Sequence, residues 1–438
     1  MHRYFCLFSL VFILSPCAGS VAVHAQSLLT LEEAVGTALE RNYTIRISRN
    51  DARSAANDYS LGNAGFLPSV SLSAQQSRRT FGRDSGNEAG PVFGSVNTVD
   101  LGMNLSTTLF DGFGQFATYQ WLESQMDLAE LRADQTTETT VAGVVISYYD
   151  LVRQQQQIEV FEEAVEISQE RVEIAQMRND LGSASELEVR QARVDLNADR
   201  ATLLRQRVSL TNAKAEFNRL LASDAGLDYI VADTIHVLRN LSIDDLREST
   251  AHSNKTLAVV RESEESALLA RREIRSEWFP TLDLTAGYAF NDLSQEIGVI
   301  ASRPPGLSYG LTATVDLFDG FNRRRRRENA DLQVRSAELA LADAQIAVES
   351  QLENSYQNFQ FSLELIDLER ENMGLAQLNL DVALERFRLG TITSVELRDV
   401  QSALTNAESR FITAQYEAAR AQTELLQLSG LLVDQITN

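Results

Sequence analysis

Two hydrophobic periodicities alternate along the chain. Leu397, Val400, Leu404, Ala407, Phe411, Ala414, Ala418, Ala421, Leu425 and Leu428 follow alternating steps of three and four. That spacing predicts a coiled-coil seam, and its many alanines allow close helix packing. Leu332, Leu339 and Ile346 keep a seven-residue step, and Leu352, Phe359, Ile366 and Met373 resume it after one slip. These residues read as a core stripe. Elsewhere the period falls to two. Leu282, Leu284, Ala286, Tyr288 and Phe290 alternate with other residues, as do Leu307, Tyr309, Leu311, Ala313, Val315 and Leu317. Val70, Leu72 and Ala74 alternate with serines, and Val99, Leu101, Met103, Leu105 and Leu109 sit in a similar run. The pattern predicts four strands, each about the 9–11 residues that a tilted membrane strand needs. Polar loops are expected over Gln75 to Thr98 and Asn291 to Gly306.

The chain is written twice. Leu31, Asn42 and Ile45 return as Ile243, Asn254 and Leu257, and Pro68-Ser69-Val70-Ser71-Leu72 as Pro280-Thr281-Leu282-Asp283-Leu284, all at an offset of 212. Leu109-Phe110-Asp111-Gly112-Phe113 returns as Leu317-Phe318-Asp319-Gly320-Phe321, and Leu181-Gly182-Ser183 as Leu389-Gly390-Thr391, at an offset of 208. Matching prolines, glycines and turn motifs distinguish this from generic helical self-similarity. The division is residues 26–240 for the first copy and 241–438 for the second. Each copy reads helix, two strands, very long helix, turn, helix, and the two form one structural unit. Arg323 to Arg388 predicts a helix of roughly 100 Å at 1.5 Å per residue. Two shorter helices, Ile243–Glu277 and Ser394–Ser429, stack end to end to match it. In the first copy Leu31–Ala64 and Glu186–Leu221 match Gly114–Asp180.

Residues 1–25 read as a signal peptide: a basic start, an apolar stretch from Tyr4 to Pro16, and Val23-His24-Ala25 before the expected cleavage site. Both cysteines, Cys6 and Cys17, fall inside it, so no disulfide, thiol chemistry or Cys/His metal site is expected in the mature chain. With Lys+Arg 39 against Asp+Glu 61, the net charge of −22 argues against a nucleic-acid partner. No Ser-His-Asp order and no glycine-rich phosphate loop is present, so neither catalysis nor a cofactor is expected. After residue 25 no apolar run is long enough for a membrane helix. A membrane-spanning role therefore falls to the strands. Four strands alone would leave open edges in lipid, so closure requires copies from other subunits. A soluble periplasmic coiled-coil structural or adaptor protein is the competing reading; it does not call for four alternating strands bounded by aromatics.

The duplicated order, the Leu31-x-x-Ala34 … Asn42 opening, Phe66-Leu67-Pro68 and Trp278-Phe279-Pro280 before the strands, and the paired Leu-Phe-Asp-Gly-Phe motifs resemble the TolC family of outer membrane efflux and secretion proteins. Arg386-Phe387-Arg388-Leu389-Gly390 with Val395-Glu396-Leu397 resembles its hairpin tip. The resemblance implies a mainly α chain with a small β part. It implies a homotrimer with a twelve-stranded outer membrane β-barrel above an α-helical tunnel. It also implies a passive exit duct, without cofactor or metal, for a periplasmic adaptor and an inner-membrane pump of RND, ABC or MFS type, in drug efflux or type I secretion.

On this resemblance Glu396 and Asp399, with Glu188 in the first copy, would ring the periplasmic entrance, where like charges would raise some carboxylate pKa values. Phe387 and Ile392 would stand where the best-known members place a gating tyrosine and arginine. Leu181, Gly182 and Ser183, with Leu389, Gly390 and Thr391, would meet the adaptor. Phe110, Phe113, Trp278, Phe279, Phe318 and Phe321 are expected to form an interfacial girdle against outer membrane lipid. Arg323 to Arg327 either reach lipid phosphates or form a solvated helix start.

Overall fold

A computed structural model describes residues 28–83, 92–232, 234–295 and 305–437. The expected signal peptide, with Cys6 and Cys17, lies outside the described residues.

A two-residue strand, β1 (Leu28–Leu29), leads into α1 (Leu31–Arg41) and α2 (Tyr43–Asp58). A hairpin of β2 (Ser69–Arg83) and β3 (Val92–Phe110) follows, then α3 (Gly114–Asp180), α4 (Glu186–Leu220) and β4 (Ile230–Val231). The second copy runs α5 (Ile243–Ser253), α6 (Lys255–Ser276), β5 (Thr281–Gln295), β6 (Gly306–Thr314), α7 (Asn322–Arg388), α8 (Ser394–Leu428) and α9 (Leu432–Thr437). The long helices α3 and α7 each have 67 residues, and α4 and α8 each have 35. Among the described residues no helix is long and apolar enough to cross a membrane.

The four long strands form one antiparallel sheet in the order β2-β3-β5-β6. Its register puts Leu72 opposite Met103, Met103 opposite Tyr288, and Tyr288 opposite Leu307. One face is thus apolar from edge to edge. The other carries Ser73, Gly102 and Ala289 in a neighbouring row. The strands are longer than the periodicity indicated. β2 and β5 have 15 residues and β3 has 19, so pairing continues through most of the expected Gln75–Thr98 loop and five residues into the expected Asn291–Gly306 loop. Backbone pairing needs no apolar side chain, which is why the polar part of each strand was invisible to the pattern. β6 stops at Thr314, before Val315 and Leu317.

Each expected opening helix is broken, at Asn42 and at Asn254. Asn42 Oδ1 accepts from the Thr44 and Ile45 amides, while its Nδ2 donates to the Leu220 carbonyl, 2.7 Å away. Asn254 repeats this with the Leu257 amide and the Leu428 carbonyl. One side chain therefore caps the start of α2 or α6 and the end of α4 or α8, joining two short helices end to end. The expected end-to-end stacking is realised through these two amides.

The helices form a single layer. Near the sheet the packing order is α2-α3-α6-α7, and toward the far end it is α4-α3-α8-α7. Like the sheet, each level has one edge from the first copy (β2, α2, α4) and one from the second (β6, α7). Around the middle, α1, α9, β1 and β4 gather on α3. There Val35, Val145, Tyr148, Phe217, Val231 and Leu432 make the largest buried cluster.

The heptad stripe of α7 divides. Leu352, Phe359 and Ile366 are buried, as the spacing implied, but Leu332, Leu339 and Ile346 are exposed. Further along α7, Phe361, Leu368, Leu375 and Val382, continued by Leu389 just past its end, form a second exposed stripe at seven-residue steps, and Leu187, Val194 and Val208 are exposed on α4. Both stripes lie on edge helices, so they are seams without a partner inside one chain.

Candidate conduit wall and helical tip

The two tips have the same construction. Gly182 and Gly390 both have φ +75°, a conformation costly for other L-residues, and each ends a long helix. The Ser183 amide donates to the Arg178 carbonyl and the Thr391 amide to the Arg386 carbonyl, which closes the last turn. Leu181 and Leu389 are left 78% and 76% exposed at corresponding places. Ser185 then caps α4 and Thr393 caps α8.

Glu396 belongs to that cap. Its carboxylate accepts from the Thr393 amide at 2.7 Å and from the Thr393 hydroxyl at 2.9 Å. The Glu396 amide donates back to Thr393 Oγ1, completing a capping box. These hydrogen bonds, with Arg386 nearby, hold the Glu396 carboxyl below its ordinary value. Within one protomer the direction is therefore opposite to the rise expected from a crowded acidic ring. The motif Thr-x-x-Glu was a legible signal for this role. Glu396 also lines a groove of about 620 Å³ between α7 and α8, with Val382, Arg386 and Ile392. Asp399 is exposed one turn further on. Glu188 sits at the matching position of α4, 3.7 Å from Arg178.

Phe387 is 0% exposed and packs with Leu380, Leu397 and Leu404. The Arg178 guanidinium covers its ring at 5.5 Å. Within one protomer Phe387 is thus a packing residue of the tip, at the position where the resemblance places a gating tyrosine. Polar ties run deeper. Arg398 of α8 reaches past α3 to Asp199 of α4 with two hydrogen bonds, 2.6 and 2.8 Å. Asp199 also accepts from Ser168, which accepts from Gln401. Arg171 is fully buried and donates to Asp195 at 2.7 Å. Burial pushes its guanidinium pKa down, against the pull of Asp195. Arg388 of α7 pairs with Glu170 of α3. Sequence reasoning missed Arg171; the available signal was a charge at a seam position between Ser168 and Ala175.

At the other end, the aromatics gather where strands become helices. Phe110 and Phe113 meet edge to face at 5.4 Å, and Phe318 and Phe321 do so at 5.3 Å. Phe113 and Phe321 both have left-handed backbone, φ 68° and 64°. Trp278, Phe279, Phe318 and Phe321 are exposed. Gly112 packs so closely on the second copy that a Cβ would lie 2.5 Å from the Ser276 carbonyl and 2.6 Å from Phe279. At Gly320 the same Cβ would approach only Asn322.

A family model described as outer membrane efflux protein matches residues 34–223 and 246–431, one span in each copy. The chain belongs to the outer membrane efflux protein family. Its place is accordingly the outer membrane, with a large periplasmic extension, in a family of channels. It is 24% identical to Protein CyaE of Bordetella pertussis over 405 residues, 91% of this chain and 83% of that protein. It is 20% identical over 405 residues to Outer membrane protein TolC of Escherichia coli, covering 90% and 80%. The crystal structure of the CmeC outer membrane channel of Campylobacter jejuni shares the fold. Its TM-score is 0.78 at 17% identity, over 92% of this chain and 86% of that one. This efflux-family chain thus combines a broad apolar sheet face with a helical layer that has two unsatisfied edges.

Proposed function

We propose that three copies of this chain close into a passive exit duct. Its upper part is a twelve-stranded barrel in the outer membrane, and its lower part is a helical tunnel through the periplasm. The duct serves a tripartite efflux pump or a type I secretion system. The observation that carries this reading is the pair of edges running the length of the layer. β2, α2 and α4 face one way and β6 and α7 the other, so joining unlike edges generates a ring. Gly112 supports it. The first copy's turn is seated against Ser276 and Phe279, whereas the second copy's turn at Gly320 has an open side that the next chain's first copy fits. Open strand edges are not tolerated in lipid, which supplies the drive for closure.

The tips around Gly182 and Gly390, with exposed Leu181 and Leu389, are the proposed contact for a periplasmic adaptor hairpin. Glu396 and Asp399 form the acidic rim of the periplasmic opening. Arg398–Asp199 and Arg388–Glu170 tie the hairpins of the two copies together behind that rim.

The ring is tested by pairing Val194→Cys on α4 with Leu378→Cys on α7, residues at similar height above their tips. Oxidation should give covalent dimers and trimers and nothing larger. A ladder continuing past the trimer, or monomer alone, overturns the ring.

A further inference from the structure

Arg323 to Arg327 place five guanidiniums at the start of α7. The corresponding first-copy positions, 115–119, hold Gln-Phe-Ala-Thr-Tyr, yet α3 has the same length and the same entry turn. One structural duty is shared. Gln115 donates to the Gly65 and Thr108 carbonyls, and Arg323 donates to the equivalent Glu277 and Asp316 carbonyls. A neutral amide performs it equally well, so the fold does not require the charge. Cations at a helix N-terminus also oppose its dipole.

Two of the five are absorbed locally. Arg323 lies over the Trp278 ring at 5.1 Å, and Arg326 pairs with Glu277 at 2.7 Å. Arg324 makes only a surface pair with Glu328. Arg325 and Arg327 are exposed and have no ion pair among the described residues, in a chain where acids outnumber bases 61 to 39. All three stand next to Phe318 and Phe321, where the apolar sheet face ends.

We infer that Arg324 and Arg327, three residues apart and so on one face of α7, with Arg325 flanking Arg324 around the helix, form a docking surface for the phosphate groups of anionic phospholipids in the periplasm-facing leaflet. The guanidinium fork matches a phosphodiester in two parallel hydrogen bonds. Position supplies the partner: headgroup phosphates lie at the border of the apolar band. The remaining acidic surface repels such headgroups, so one basic patch per chain fixes both depth and rotation in the bilayer. This requires outer membrane placement but is independent of what the duct exports.

The test uses the mature full chain in nanodiscs of mixed phosphatidylcholine and phosphatidylglycerol, with lipids retained after detergent extraction measured by mass spectrometry. The wild type should retain phosphatidylglycerol above its bulk share. R324Q/R325Q/R327Q should lower that enrichment by about fivefold for each guanidinium that contacts a headgroup, and R324K/R325K/R327K should lower it less, keeping the charge but not the paired hydrogen bonds. If the triple glutamine variant fails to assemble, Arg327→Gln alone carries the test, with a fall of about fivefold. Equal enrichment in wild type and variants, or none in the wild type, overturns the proposal. So does loss of the oligomer without a change in lipid retention, which would assign the arginines to acids of a neighbouring copy.

Discussion

Ala222 and Gly430 occupy the same position in the two copies, after α4 and after α8. Both have left-handed backbone, φ 51° and 68°. Alanine is strained there, while at Gly430 a Cβ would lie 2.6 Å from the Ser253 carbonyl. Ala222→Gly should therefore raise stability by about 0.5–1 kcal/mol, and Gly430→Ala should cost at least about 2 kcal/mol. Apparent melting of the purified protein, followed by circular dichroism, measures both. Asn42 and Asn254 stood out as repeat landmarks in the sequence, whereas the Thr393-x-x-Glu396 spacing of a cap was passed over in favour of an entrance role for Glu396. That each asparagine also binds the end of another helix was not legible, because Leu220 and Leu428 lie more than 170 residues away along the chain. That Phe387 turns into the tip of its own protomer was not legible for a related reason: a resemblance places a residue along a helix but does not say toward which neighbour it turns.

At the scale of elements, length and period were read well for the long helices, whose seams span many turns. The short helices were read as continuous, since Asn42 and Asn254 interrupt the backbone without disturbing the apolar period. Where α8 packs on α3, burial and the nearby Glu163 push the Glu408 carboxyl up to about 7 from an ordinary 4.5. The folded value lies above the unfolded one, so the folded state holds its proton longer. Below about 4.5 both states are protonated and the site costs nothing. As pH rises toward 7 the unfolded chain releases its proton first, and stability declines through that window. Glu408→Gln should flatten the decline and raise the melting temperature at pH 8 more than at pH 4. Parallel melting curves of wild type and variant across that range would show the assignment to be wrong.

At the scale of the whole molecule the ring matters most. Glu396 and Asp399 carry little weight as two surface carboxylates of one chain, but the proposed trimer would bring six to a single opening. Multivalent cations should block conductance from the periplasmic side, and Glu396→Gln with Asp399→Asn should abolish the block. Glutamine can still serve in the capping box, so loss of block is separable from loss of fold. Because the Thr393 hydrogen bonds hold the Glu396 carboxyl below its ordinary value, the block should fade only as the medium becomes acidic enough to protonate it. Planar-bilayer recordings with the two variants combined decide the matter; block unchanged in the double variant removes these residues from the rim.

The duplication, the alternation of strand and heptad periods, and the turns that join them were all readable from the residues in order. Each of these rests on neighbours close along the chain, where backbone geometry and side-chain period act directly. The same order also showed which residues are apolar enough to need a partner. Which partner each one meets came from the folded chain. Leu352 and Phe359 found theirs inside the chain, whereas Leu339 and Val382, at equivalent spacing, remain on an edge. The fold likewise decided that Arg171 is enclosed within the chain while Arg327 is left exposed on it. The physical reason is that a period fixes the face of a helix, but burial depends on what packs against that face, and packing is set by contacts distant in sequence.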